Sequence, residues 1–166
     1  MQLLELREDQ RISKGISSII HNSEFPYPSK KKNIVKSIKD LLDNKLLLTL
    51  VIQEGLPFEL FEIIQENTPF SEIEWAKFLG ISTKSIQRYK KKNKDFKSIQ
   101  TEKILELTEV CYLGIEIFED INKFNLWLNT PNFALGSIKP IKLLQDSYGK
   151  ELVMTELVRI DHGIFV

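Results

Sequence analysis

Two stretches of this 166-residue chain carry side chains with chemical reach. In the first, residues 84 to 97, Lys84, Arg88, Lys90, Lys91, Lys92, Lys94 and Lys97 oppose Asp95 alone. Thr83 precedes these cations, and Ser85 and Gln87 are interleaved with them. Cations at this density suit phosphates, and Gln and Arg carry the donors and acceptors that read adenine and guanine edges in a major groove. The second stretch is the chain end, Arg159-Ile-Asp-His-Gly-Ile-Phe-Val166. It places a guanidinium fork, an acid, an imidazole and an aromatic anchor together, the ingredients of a protein-binding hot spot. Asp161 and His162 are sequence neighbours, which seldom face one site, and no nucleophile motif accompanies them. They therefore read as binding groups, and no enzymatic activity is expected.

Other chemistries are poorly supplied. Cys111, His21 and His162 are the only Cys and His residues and lie far apart, whereas a structural zinc site takes about four such ligands. A lone cysteine forms no disulfide framework, and Cys111 is expected as a small core residue on a helix. The N-terminus is acidic with no apolar stretch after it, so no secretory leader is expected. The most apolar run, Leu46 to Ile52, is too short to cross a hydrocarbon core of ~30 Å. A cytoplasmic protein with a reduced thiol and no membrane contact is expected.

The chain has 23 Lys+Arg against 23 Asp+Glu. A zero balance disfavours a nucleic-acid binder until the charges are placed along the chain. Glu102, Glu106, Glu109, Glu116, Glu119 and Asp120 oppose only Lys103, so an acidic segment cancels the basic one. A local basic face suffices for phosphates, because fields decay over ~8 Å at physiological salt.

The elements that must position these residues are helical. Residues 1–32 are weakly patterned, with a loop over His21 to Ser29, and Lys30 to Lys32 reads as a solvated charge run. Apolar residues at 34, 35, 38, 41 and 42 fit one helix face. Lys45 to Gln53 suits strand or helix. Gly55-Leu-Pro57 is a break, with Pro57 suited to a helix's first turn. Ser71 and Glu74 form a capping box. A helix is expected from Thr83, and a long one from about Ser98 to Glu119. No period-two alternation is sustained, so the fold class is mainly α.

Ala76, Gly80 and Ile86, with Ser82 as a cap, match a DNA-binding helix-turn-helix. The small residue permits close approach, the glycine ends the first helix left-handed, and the isoleucine packs back onto Trp75 and Leu79. The helix from Thr83 then presents Thr83, Lys84, Ser85, Gln87, Arg88, Lys90, Lys91 and Lys92 as DNA-binding candidates. Helix-turn-helix proteins read paired half-sites, so a homodimer is expected.

The segment Trp127-Leu-Asn-Thr-Pro-Asn-Phe-Ala-Leu-Gly136, continued through Pro140, Leu143-Leu144, Gly149, Val153 and Leu157 to the Arg159–Phe165 tail, resembles the Xre/MbcA/ParS antitoxins, specifically the Xre-type antitoxins of RES–Xre modules. Glu54-Gly-Leu-Pro57 and the Gly80–Arg88 stretch are also similar, so the resemblance covers roughly residues 50 to 166. The chain departs from the pattern at Ser137, where a second glycine is usual, around Asp146-Ser147, and at Tyr89, where arginine often recurs. Residues 1–45 are expected as an N-terminal extension, partly helical, outside the resemblance, which implies a helix-turn-helix and dimerisation domain over 46–120 and a small C-terminal toxin-binding α domain over 121–166. It implies operator DNA and a RES-domain, NAD-consuming toxin as partners, a hetero-oligomer with that toxin, and no cofactor. Toxin contact is then expected from Arg159, Asp161, His162, Gly163, Ile164, Phe165 and Val166. The other reading is a stand-alone repressor whose C-terminal unit only dimerises.

Overall fold

The computed structural model describes residues 10–23 and 35–163, and among them every regular element is a helix. The chain divides into two compact units, residues 4–105 and 106–166. The charge run at Lys30 to Lys32 lies outside the described residues.

In the first unit, α1 (Gln10–Asn22) buries Ile12, Ile16, Ile19 and Ile20, a spacing that keeps four isoleucines on one helix face. It packs on α3 (Lys45–Glu54) and α4 (Phe58–Glu66). Helix α2 (Ile38–Leu42) begins later than the apolar spacing predicts, because Ser37 and Asp40 form a reciprocal capping box there. The ambiguous run after Lys45 is helical, with the Asn44 side chain accepting the Leu47 N–H at 3.1 Å. Pro57 is the N-cap of α4, one position ahead of its first turn. Helices α5 (Glu72–Phe78) and α6 (Thr83–Lys92) pack on each other.

Aromatic rings join these helices. Phe61 lies 5.2 Å from Trp75 and 4.8 Å from Phe96, and Tyr89 lies 5.1 Å from Phe96, centroid to centroid. Trp75, Phe61 and Phe96 are almost wholly buried. Edge-on and tilted aromatic contacts add directionality to the area they remove from water, which helps orient α4, α5 and α6.

Helix α7 (Ser98–Phe118) runs from the first unit into the second. Within the second unit, α8 (Ile121–Leu128) is capped by Asp120, whose Oδ1 accepts the N–H groups of Asn122 and Lys123, both at 2.8 Å. A 3₁₀ turn (Phe133–Leu135), α9 (Pro140–Leu143) and α10 (Ser147–Asp161) follow, and α10 packs on both α9 and the 3₁₀ turn. Asp146 caps α10 through the Gly149 N–H at 2.9 Å, so the departure from the family pattern at this point serves as a helix cap. Cys111 is buried, as expected, and burial pushes its thiol well above the ordinary value.

Candidate nucleic-acid interface and C-terminal site

The turn between α5 and α6 follows from local hydrogen bonding. Gly80 adopts φ +63°, the Gly80 N–H donates to the Lys77 carbonyl at 3.2 Å, and the Ile81 N–H donates to Ala76 at 3.0 Å. This pair of bonds is a Schellman termination, which needs a left-handed residue where glycine stands. Ser82 Oγ then accepts the Ser85 N–H at 3.1 Å and opens α6. Ile86 is buried, as are Trp75, Ala76 and Leu79.

The burial of Ile86 and Tyr89 fixes which face of α6 looks outward. Lys84, Arg88 and Lys91, spaced i, i+4 and i+7, form the exposed central stripe. Lys92 is also exposed, and Thr83 and Ser85 are half-buried. Among the described residues, Lys84, Arg88, Lys91 and Lys92 make no ion pair. Gln87 and Lys90 lie on the flank and are engaged within the unit. Gln87 Nε2 donates to Glu72 Oε2 at 2.5 Å, and Lys90 Nζ is 2.6 Å from Glu62 Oε1. The Glu62 carboxylate, with Glu66 and Glu72 nearby, holds the Lys90 ammonium pKa above its ordinary value. Ser85 Oγ shares a hydrogen bond with Ser82 Oγ at 3.0 Å.

Tyr89 belongs to the core rather than to the outward face. The helix ends at Asn93 with φ +44°, and Lys94 places its ammonium 5.1 Å from the centre of the Tyr89 ring. The following segment is anchored from afar. Phe96 N–H donates to the Leu56 carbonyl at 2.8 Å, and Leu56 N–H donates to Thr101 Oγ1 at 2.9 Å. Thr101 Oγ1 in turn donates to the Phe96 carbonyl at 3.2 Å. No sequence signal marked Thr101 as the residue that ties the end of the basic helix to the α3–α4 turn.

The second unit carries a different surface. Asn132 Oδ1 accepts the Ala134 N–H at 2.8 Å, and its backbone N–H donates to Ile138 at 3.1 Å. Gly136 and Ser137 both have positive φ, so Ser137 takes the left-handed conformation that the usual glycine would supply. This loop holds Phe133 78% exposed. Leu126, Tyr148 and Leu152 are exposed as well. Phe133 borders a cavity of about 350 Å³ also lined by Phe118, Trp127, Asn132, Ala134, Glu156 and Ile160. Glu156 is buried, with Asn132 Nδ2 at 3.4 Å and Arg159 Nη1 at 3.5 Å.

The predicted terminal site is therefore distributed over a helix and its end. Arg159 is half-buried on α10 and occupied by Glu156, and Asp161 is the last helical residue. Asp161, His162 and Gly163 are exposed, and Gly163 turns the chain at φ +68°. Ile164, Phe165 and Val166 lie outside the described residues. Two glutamates of the acidic segment are engaged inside the second unit: Glu109 pairs with Lys150 at 2.5 Å, and Glu106 accepts from Ser147 Oγ at 3.0 Å. No group of three Asp, Glu, His or Cys residues suited to a metal occurs among the described residues. No helix among them is long and apolar enough to cross a membrane.

Comparison with known proteins divides the chain in a similar way. Residues 48–109 match the antitoxin Xre-like helix-turn-helix domain, and residues 113–163 match the antitoxin Xre/MbcA/ParS C-terminal toxin-binding domain. A protein named antitoxin Xre from Photorhabdus laumondii is 27% identical over 118 residues, spanning 70% of this chain and 80% of its own length. An antitoxin Xre from Yersinia enterocolitica is 25% identical over 115 residues, spanning 69% and 78%. The fold is similar to a chain in the crystal structure of the M. tuberculosis MbcT–MbcA toxin–antitoxin complex. Its TM-score is 0.54 at 19% identity, over 66% of this chain and 96% of that one.

Proposed function

Since the chain belongs to the Xre/MbcA/ParS antitoxin family, we propose that it neutralises a RES-domain, NAD-consuming toxin and represses its own promoter. The second unit binds the toxin and occludes its active site. The first unit binds operator DNA through α6, as a homodimer that reads two half-sites. The chain acts in the cytoplasm by binding alone, without a cofactor.

One observation carries this reading: the exposed chemistry is divided between the units. The first unit exposes a cationic stripe, Lys84, Arg88 and Lys91, on the outer face of a helix whose inner face is core. In this reading Arg88 meets a guanine edge, and Lys84, Lys91 and Lys92 meet phosphates. The second unit exposes Phe133 beside a cavity with aromatic walls, and exposes Leu126 and Tyr148 as well. A large aromatic left in water on a hydrogen-bonded loop is the usual form of an interface anchor. Arg159, Asp161, His162 and Gly163 extend this surface towards the terminal Ile164, Phe165 and Val166. Arg159 reaches the toxin by exchanging Glu156 for an acceptor there.

Separation of the two activities tests the proposal. Arg88→Ala weakens binding to DNA from upstream of the chain's own reading frame and leaves toxin neutralisation intact. Removal of residues 159–166 abolishes neutralisation and leaves DNA binding largely unchanged. Full protection by the truncated chain refutes the terminal contact. A chain with no affinity for any toxin but with tight promoter binding supports the stand-alone repressor instead.

A further inference from the structure

The base-reading helix is held on one flank by carboxylates of its own unit. Glu72, at the start of α5, accepts from Gln87, and Glu62, on α4, pairs with Lys90. Resting on the DNA-binding reading above, we propose that Glu62 and Glu72 are specificity-determining residues, which withhold Lys90 and Gln87 from non-matching duplex and yield them to a matched site.

The argument is one of exchange. Non-matching DNA offers α6 only phosphates. To use Lys90, a phosphate must displace Glu62 and then lie close to Glu62, Glu66 and Glu72, all of which act on that ammonium. Carboxylates within ~8 Å of a phosphate are poorly screened at physiological salt, so this approach is penalised. A matched site adds base-edge contacts through Gln87 and Arg88, which repay the loss of the Glu72 bond. Both glutamate contacts are at the surface, where ion pairs are individually weak, so they bias the exchange without blocking it. The outward stripe of Lys84, Arg88 and Lys91 needs no such exchange and sustains encounter with any duplex.

The size of the effect follows from counterion release. Each phosphate neutralised adds about 0.9 to the slope of log affinity against log salt. Freeing Lys90 therefore steepens the slope on non-matching DNA by about 0.9, and raises affinity about fivefold near ~0.15 M salt. Neither substitution touches the core, since Glu62 and Glu72 are both half-exposed.

The test uses the full chain and fluorescence anisotropy with two duplexes. One is taken from upstream of the chain's own reading frame, and the other is a scrambled duplex of equal length and composition. Wild type, Glu62→Gln, Glu72→Gln and the double variant are titrated across salt. The double variant should gain about fivefold or more on the scrambled duplex, with the steeper slope, and gain less on the upstream duplex, so its discrimination falls. In a Lys90→Gln background, Glu62→Gln should leave the slope unchanged. Wild type that binds the upstream duplex selectively, with a double variant of unchanged slope and selectivity, overturns the proposal but not the DNA-binding reading. Wild type that binds both duplexes equally overturns the proposal together with the operator reading, and leaves α6 as a helix that binds DNA without selecting sequence. Wild type that binds neither duplex removes the reading and the proposal with it.

Discussion

Replacing Thr101 by Val isolates the bond that ties the end of α6 to the α3–α4 turn. Valine has nearly the shape of threonine, so packing at this fully buried position changes little. The hydroxyl, however, accepts the Leu56 N–H at 2.9 Å and donates to the Phe96 carbonyl at 3.2 Å. Leu56 is itself fully buried, and water cannot replace the lost acceptor. An orphaned buried N–H costs about 1–3 kcal/mol, and the loss at Phe96 is smaller because a carbonyl has a second lone pair. A net loss of about 2 kcal/mol lowers the melting temperature of the first unit by roughly 8–16 °C if it unfolds as a domain of its own size. Trp75 reports this transition without interference if Trp127 is replaced by Phe, because these are the chain's two tryptophans. Urea denaturation followed by fluorescence gives the free energy directly. Thr101→Ser keeps the hydroxyl and loses only a methyl group, so it should be less destabilised than the more nearly isosteric valine variant. A valine variant within about 0.5 kcal/mol of wild type, or one more stable than the serine variant, refutes the reasoning.

Three further outcomes are expected. Gly149→Ala should destabilise the second unit by several kcal/mol in a thermal melt, because its Cβ would overlap the Leu143 carbonyl, a backbone atom that cannot yield cheaply. Phe133→Ala should leave the melting temperature of the free protein nearly unchanged, since the ring is in water, while weakening affinity for the toxin about 30-fold or more in calorimetry. Burial raises the Cys111 thiol pKa, so the unfolded chain loses that proton first, and stability should decline as pH rises beyond about 8.5. That part of the decline should disappear in Cys111→Val, measured by urea midpoints from pH 7 to 10.

Much of the helix-turn-helix was legible because its determinants are local. Gly80, Ser82 and Ile86 act within a few residues of where they stand, and the turn, the cap and the buried contact all follow from their types. The capping box at Ser71 and Glu74 was legible for the same reason. Helix α1 was not legible, although Ile12, Ile16, Ile19 and Ile20 carry its period, because the weak helix formers Ser13, Gly15, Ser17 and Ser18 stand between them. Tyr89 was harder still. It stands where arginine often recurs in the family, and its burial follows from its contact with Phe96, in a segment held by the Leu56 and Thr101 bonds. In the basic stretch, charge density was visible, but the pairing of Gln87 and Lys90 with Glu72 and Glu62 depends on how α4 and α5 pack. Likewise, Arg159 was legible as a fork for a partner or for an internal salt bridge, and its tie to Glu156 follows from the helical geometry of α10.

The central claim is neutralisation of a toxin, and growth under co-expression measures it. The full chain is produced together with the protein encoded in the adjacent reading frame, which the proposed function expects to be a RES-domain toxin, and growth and cellular NAD are followed over time. The account predicts that the RES-domain protein alone arrests growth and depletes NAD, and that the full chain restores both. Arrest and NAD loss that persist with the full chain present in excess would contradict it.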